Sequence, residues 1–282
     1  MNIIEAIILG IIQGLTEFLP ISSTGHLTVA GKFMGLISDE NPEHWTAFIA
    51  VVQLGTLAAV FIYFWNDLWD IFINFLKDNF IERKKFSAQS GNSKMGWYII
   101  LGSIPVVIIG LGFKDFIEGA FTKNLYVIAG SLIVLGIILA LAEKVGKFKK
   151  DLNQLTWKES LIVGFAQALA LIPGSSRSGT TITAGLFLGF KRETAARFSF
   201  LLSVPAVLGS GLLEFYQSLE FIDSGGMINL IAATITAGIS GYLTIEFLLR
   251  FLKKNTTFIF VFYRIIIGGT ILILLYNKLI SP

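Results

Sequence analysis

Two short stretches of the chain concentrate side chains of the kind that do chemistry. In "QGLTEFLPISSTGH", residues 13–26, Gln13 and Glu17 stand four apart and so share one face of a helix, while Ser22, Ser23, Thr24 and His26 follow Pro20 at the start of a second helix. A carboxylate, an amide, hydroxyls and an imidazole can therefore converge, and these are the parts that nucleophilic and general-base reactions use. In "PGSSRSGTT", residues 173–181, the glycines let the backbone approach a ligand closely, the following helix offers N–H groups at its positive end, and the guanidinium of Arg177 fits a phosphate bidentately. A buried Glu17 needs a metal ion, an arginine or a proton, and Arg177 is its natural partner across the chain. At this level a purely structural ion pair, a packed histidine and simple helix capping are open alternatives for Glu17, His26 and the hydroxyls.

The elements that hold these stretches are membrane helices. Only 15% of the 282 residues are charged, against about 25% in a soluble domain, and the mean hydropathy is +0.73. Apolar runs at 46–65, 97–113, 124–143, 194–215, 227–249 and 258–277 approach or exceed the roughly 20 residues that cross a bilayer as helix. The runs are continuous, not alternating, and small pairs such as Gly10/Gly14 and Gly164/Ala168 suit close helix packing, so the fold class is an all-α polytopic membrane protein and not a β-barrel. With no cysteine, thiol nucleophiles, disulfides and Cys-ligated zinc are excluded. The N-terminus lacks the basic region of a signal peptide, so no cleavage is expected and the mature chain is expected to start at Met1. The 25 phenylalanines suit a lipid-facing surface or a groove for a long acyl or prenyl chain. No nucleic-acid partner is expected.

An internal repeat organises the runs. "EAIILGIIQGLTEFLPISSTGH" and "ESLIVGFAQALALIPGSSRSG" share Glu5/Glu159, Gly10/Gly164, Gln13/Gln167, Leu15/Leu169 and, after one deletion, Pro20/Pro173 and the paired serines. The expected units are residues 1–150, with a hairpin over 3–34 and three spans, and residues 151–282, with a hairpin over 158–190 and three spans, together one membrane domain. Each hairpin is too short for two crossings and carries a polar centre, which predicts a re-entrant segment reaching the middle of the bilayer. Threading six crossings puts four basic groups on one face: Lys77, Arg83, Lys84, Lys85 and Lys94; Lys144, Lys147, Lys149, Lys150 and Lys158; Lys191 and Arg192; Arg250, Lys253 and Lys254. Lys32, Lys114, Lys123 and Lys278 fall opposite, which makes the first face cytoplasmic and predicts an inverted-topology repeat with both termini outside. His44 beside Trp45 reads as interfacial, residues 77–94 as a solvated connection, and Arg264 as a buried arginine with a protein partner.

"GLTEFLPISSTGH" and "PGSSRSGTT", in this order and in a chain of this hydropathy, resemble the bacterial undecaprenyl pyrophosphate phosphatase family, also called the bacitracin-resistance family. The resemblance implies a membrane phosphatase that converts undecaprenyl pyrophosphate to the monophosphate, recycling the carrier of cell-wall synthesis, with its site open to the outer face of the bacterial inner (plasma) membrane. It implies a divalent cation, Mg²⁺ or Ca²⁺, and places the family's (E/Q)xxxE element on Gln13 and Glu17, its serine–histidine pair on Ser23 and His26, and its arginine on Arg177. Gln13 removes one possible metal carboxylate, so the ion leans on Glu17, phosphate oxygens and water. Ser22, Thr24, Ser175, Ser176, Ser178, Gly179, Thr180 and Thr181 are the expected phosphate contacts, and Arg197, just inside a span, either joins them or snorkels to the cytoplasmic surface. Ser23 as nucleophile with His26 or Glu17 taking its proton, and direct attack by water, both satisfy the residues. A secondary transporter or lipid flippase is the rival reading, since transporters are also built from inverted repeats with a midplane anion site; a non-catalytic scaffold leaves the buried arginine unexplained. The glycine-rich faces leave a homodimer open.

Overall fold

The computed structural model describes residues 1–37, 42–113, 117, 120–219 and 224–281. Apart from one bridge between Lys150 and Phe190, the regular structure among these residues is helical. The first hairpin comprises α1 (Ile3–Phe18) and α2 (Ser23–Phe33). The spans of the first half are α3 (Pro42–Tyr63), α5 (Gly91–Gly112) and α6 (Leu125–Val145), with a shorter α4 (Trp65–Leu76) after α3. The second half begins with α7 (Trp157–Ala168) and α8 (Arg177–Phe187), followed by the spans α9 (Arg192–Ser218), α10 (Ser224–Leu252) and α11 (Phe258–Tyr276). All six expected apolar runs are helices long enough to cross a membrane.

Local sequence explains where the hairpin helices start and stop. Asn2 Oδ1 accepts from the Ile4 and Glu5 N–H groups at 3.0 Å, while Glu5 Oε2 accepts from Asn2 N–H at 2.7 Å. Thr156 and Glu159 repeat this reciprocal cap at α7, with Glu159 Oε2 accepting from Thr156 N–H at 3.0 Å. The Glu5/Glu159 match is thus a pair of capping boxes. Helix α1 stops ahead of Pro20 because a proline pushes its preceding residue out of the helical region.

The second helix of each hairpin opens on a serine in the left-handed half of backbone space. Ser22 has φ 76° and Ser176 φ 68°, and their Oγ atoms accept from the N–H of Gly25 at 3.2 Å and of Gly179 at 3.1 Å. A side chain at positive φ costs about 1–2 kcal/mol, so surrounding contacts must impose the turn. The matched caps also revise the repeat register. The gapped alignment sets Ser22 beside Ser175, whereas the cap geometry sets Ser22 beside Ser176 and therefore Ser23 beside Arg177.

The two halves pack through each other. Helix α1 lies along α10 and α7 along α5, so each hairpin's first helix rests on a span of the other half, while α3 packs on α9 and α6 on α11. Small residues make this possible: a methyl on Gly14 would stand 2.6 Å from the backbone nitrogen of Gly241, and one on Gly164 would stand 2.9 Å from Gly102 Cα. The pairs Lys191–Asp151 (2.8 Å) and Lys253–Glu193 (3.3 Å), and Arg192 bound to Glu143, which also accepts from Thr257 at 2.8 Å, gather three of the four basic groups at one end of the bundle. Arg197–Asp67 (2.8 Å) ties α4 to that end. At the other end Lys123 donates to Thr46 at 2.7 Å and Lys32 to the Ser281 carbonyl at 3.4 Å; Lys114 lies outside the described residues.

Residues 77–94 are largely exposed, as expected of a solvated connection, but they follow an additional helix and carry a buried anchor. The apolar run breaks at Phe64 and continues as α4, with Trp65, Trp69 and Phe72 exposed. Beyond it Asp78 is 2% exposed and accepts from Lys84 Nζ at 2.9 Å and Ser90 N–H at 2.7 Å. The Lys84 ammonium, with the Ser90 N–H, holds its carboxyl down to about 2.

Candidate active site

Glu17 lies at the end of α1, Ser23 at the start of α2 and Arg177 at the start of α8, and the three side chains meet. Ser23 Oγ donates to Glu17 Oε2 at 2.6 Å, Gln13 Nε2 donates to the same oxygen at 2.9 Å, and Arg177 Nη2 donates to Oε1 at 2.9 Å. Arg177 Nη1 is held by the Ser199 carbonyl at 3.3 Å. The Glu17 side chain is 4% exposed and that of Arg177 14%, so the pair is withdrawn from bulk water. A carboxylate so close to a hydroxyl is placed to receive its proton. The N-termini of α2 and α8 converge on the same point, where their partial positive charges favour an anion.

These groups close the inner end of a cavity of about 490 Å³. Ser22, Ser23, Thr24, Ser175, Ser176 and Arg177 line that end; Ile49, Val106, Val107, Leu111, Val207 and Leu213 make apolar walls; Thr46, Lys123 and Glu214 lie at the rim. The rim is at the end of the bundle opposite the basic groups. A polar floor carrying the Arg177 guanidinium, under apolar walls, suits a ligand with a charged head and a hydrocarbon tail.

The family profile described as "Bacitracin resistance protein BacA" matches residues 6–270. The chain belongs to this family. It is 59% identical to an undecaprenyl-diphosphatase from Syntrophobacter fumaroxidans, over 98% of this chain and 99% of that protein. It is 48% identical to one from Chlorobium phaeovibrioides over the full length of both, and 49% identical to one from Chloroherpeton thalassium over 98% of this chain and 97% of that protein.

Within this member of the BacA family the expected site residues divide into two sets. Glu17, Ser22, Ser23, Thr24, Ser175, Ser176 and Arg177 line the cavity. Gln13 is fully buried behind Glu17 and orients it. His26 does not meet Ser23: its Nδ1 binds the Ser22 carbonyl at 2.7 Å and its Nε2 the Tyr263 hydroxyl at 2.7 Å, with the two rings stacked. A carbonyl only accepts, so Nδ1 carries a proton, and the ring holds the Ser22 turn instead of the Ser23 hydroxyl. Ser178 donates to the Leu19 carbonyl at 3.0 Å, and Thr180 and Thr181 donate back to the Arg177 carbonyl at 3.0 and 2.7 Å, so these hydroxyls tie the helix start together. Gly179 serves by lacking a side chain, since a methyl there would stand 2.6 Å from Arg264 Nη1. Arg197 pairs with Asp67 and lies over the Phe64 ring, away from the cavity, because its place on the first turns of α9 puts it at the basic end.

Three further positions acquire their place in the structure, Arg264 with the protein partners expected of it. Gln53 and Gln167 line the cavity. Arg264, fully buried, donates to the carbonyls of Pro20 (3.2 Å), Gly174 (3.4 Å), Ser175 (3.0 Å), Ser131 (3.3 Å) and Leu132 (3.1 Å), and so pins both hairpin turns to α6. A hydrophobic span with a lone arginine was the only sequence signal for it.

The donor set bears on a cation. Among the described residues no three of His, Cys, Asp and Glu cluster. Glu17 as a carboxylate can only accept, so the Gln13 amide turns its nitrogen to it and leaves Oε1 buried without a partner. A carboxylate with a neighbouring neutral oxygen fits a hard dication that takes its remaining ligands from phosphate and water.

Proposed function

We propose that this chain hydrolyses undecaprenyl diphosphate to undecaprenyl phosphate and inorganic phosphate. The observation that carries the reading is the Ser23–Glu17–Arg177 contact on the floor of an apolar-walled cavity. Ser23 Oγ attacks the terminal phosphorus as its proton passes to Glu17; the new O–P bond replaces the bridging P–O bond, and the lipid monophosphate leaves. Protonation of Glu17 weakens its hold on Arg177, whose guanidinium is then released to the phosphoryl oxygens as charge builds on them. Glu17 passes the serine's proton to the departing lipid phosphate; as a carboxylate again it takes a proton from the attacking water and returns it to Ser23 Oγ as the Oγ–P bond breaks, so inorganic phosphate leaves and the Ser23 hydroxyl is restored. A divalent cation would be held by Glu17 and Gln13 Oε1 and would supply positive charge to the diphosphate.

The chain lies in the bacterial plasma membrane with the cavity rim on the outer side, a reading supported by the basic groups at the opposite end. Both hairpins re-enter the bilayer without crossing it, and units 1–150 and 151–282 form one inverted repeat. The exchanged packing of α1 on α10 and α7 on α5 supports that symmetry. A transporter has no need of a serine hydroxyl bonded to a carboxylate, which favours hydrolysis over the rival reading.

The test is phosphate release from undecaprenyl diphosphate by purified protein, with and without EDTA, beside Ser23→Ala and Arg177→Ala. Release lost in both variants is expected, and Ser23→Ala retaining wild-type turnover would replace the serine by attacking water. Because the chain has no cysteine, single cysteines at Lys32, Lys278 and Lys254 report sidedness directly. The first two should label from outside and the third only after the cells are opened.

A further inference from the structure

Gln167, on the last turn of α7, is fully buried and lines the cavity, yet neither its Nε2 nor its Oε1 has a partner. Leaving both ends of a buried amide unpaired is costly, and the great majority of such groups are satisfied by protein or by bound molecules. Its repeat counterpart shows what is missing. Gln13 is satisfied through Nε2 by Glu17, but the position matching Glu17 in the second half is Leu171. The second hairpin therefore keeps the amide and lacks the acid that would engage it. Val106, Val107 and Pro205, which also line the cavity, offer no polar side chain in its place.

A second side chain lining the cavity is in a similar condition. Ser175 is fully buried, its N–H donates to the Ile172 carbonyl at 3.2 Å and its carbonyl accepts from Arg264, but its Oγ has no partner. The backbone groups of Ser175 are spoken for, and its hydroxyl is left to face a ligand. The two hairpins thus differ in kind. The first presents a closed set of reacting groups, and the second presents neutral donors, an amide NH₂ and a hydroxyl, beside Arg177.

Building on the diphosphatase reading, we propose that Gln167 and Ser175 form a separate subsite for the lipid-proximal phosphate, the one that is not attacked and departs as the monophosphate product. Gln167 Nε2 and Ser175 Oγ donate to its oxygens, and Gln167 Oε1 accepts from its water of hydration. Neutral donors grip this phosphate in substrate and product alike, so they set affinity for the lipid end without adding to the chemistry at Ser23.

The experiment compares wild type with Gln167→Leu and Ser175→Ala, reading KM, kcat, and inhibition by undecaprenyl phosphate and by inorganic phosphate. Loss of a hydrogen bond to a charged phosphate predicts a rise of about tenfold or more in KM and in the inhibition constant for undecaprenyl phosphate. The change in kcat should stay within about threefold and inhibition by inorganic phosphate should not move. Gln167→Glu, which sets a carboxylate against the phosphate, should be worse than Gln167→Leu. Unchanged KM and product inhibition, or a shift in inorganic phosphate inhibition alone, overturns the assignment. Thermal stabilisation by undecaprenyl phosphate, measured without turnover, separates the two readings: wild type stabilised and Gln167→Leu not stabilised upholds the subsite even where hydrolysis fails. If Gln167→Leu does not fold, Ser175→Ala carries the same test.

Discussion

Replacing Glu17 and Arg177 singly and together with methionine probes the centre of the site. Glu17→Met leaves the Arg177 guanidinium without its carboxylate and strands the Ser23 and Gln13 donors, at 4% and 14% side-chain exposure for the two charges. Removing one member of a buried pair costs about 3–5 kcal/mol, and access of water to Arg177 through the cavity argues for about 3. At roughly 2–3 °C per kcal/mol this is a fall of about 6–9 °C in Tm. The double variant carries neither charge, so it should recover about 2 kcal/mol relative to the sum of the singles, while activity stays down by about 10²–10⁴ as expected for loss of a general base. The assay is thermal unfolding in detergent beside phosphate release. Additivity of the two substitutions would refute the coupling, and more than a tenth of wild-type turnover in Glu17→Met would refute the role of Glu17 as proton acceptor.

Other contacts make equally specific demands. His26→Asn should reduce turnover by loosening the Ser22 turn yet leave the shape of the pH–rate profile unchanged, since the imidazole is bound to Ser22 and Tyr263 and not to Ser23; loss of one limb of the profile would make it the base. Gly14→Val should push α1 off α10 and carry Gln13 and Glu17 with it, costing about 1–3 kcal/mol of stability together with most activity. Asp78, whose carboxyl is held at about 2 against an ordinary 3.8, contributes order to residues 77–94 above about pH 4, and that contribution is lost as the pH falls toward 2. Hydrogen exchange in this segment, corrected for intrinsic rates, should be flat from about pH 8 to 5, rise below about pH 4, and already be fast at neutral pH in Asp78→Asn.

The sequence by itself determined what depends on backbone periodicity, hydropathy and covalent neighbours. The six spans follow from apolar length, the match of Glu5 with Glu159 from the repeat, the shared face of Gln13 and Glu17 from helical spacing, and the Glu17–Arg177 pair from the cost of burying either charge alone. Tertiary structure decided what depends on packing between segments far apart in the chain. It turned His26 to Tyr263 on α11 instead of Ser23, three residues away, because the Ser22 carbonyl takes one ring nitrogen. It drew Arg197 to Asp67, set the two hairpins in an ungapped register through Ser22 and Ser176, and brought Arg264 onto both turns. It also left Gln167 facing the cavity with no acid beside it. Spacing along a helix fixes which face a residue occupies, and only the neighbours packed against that face decide what it touches.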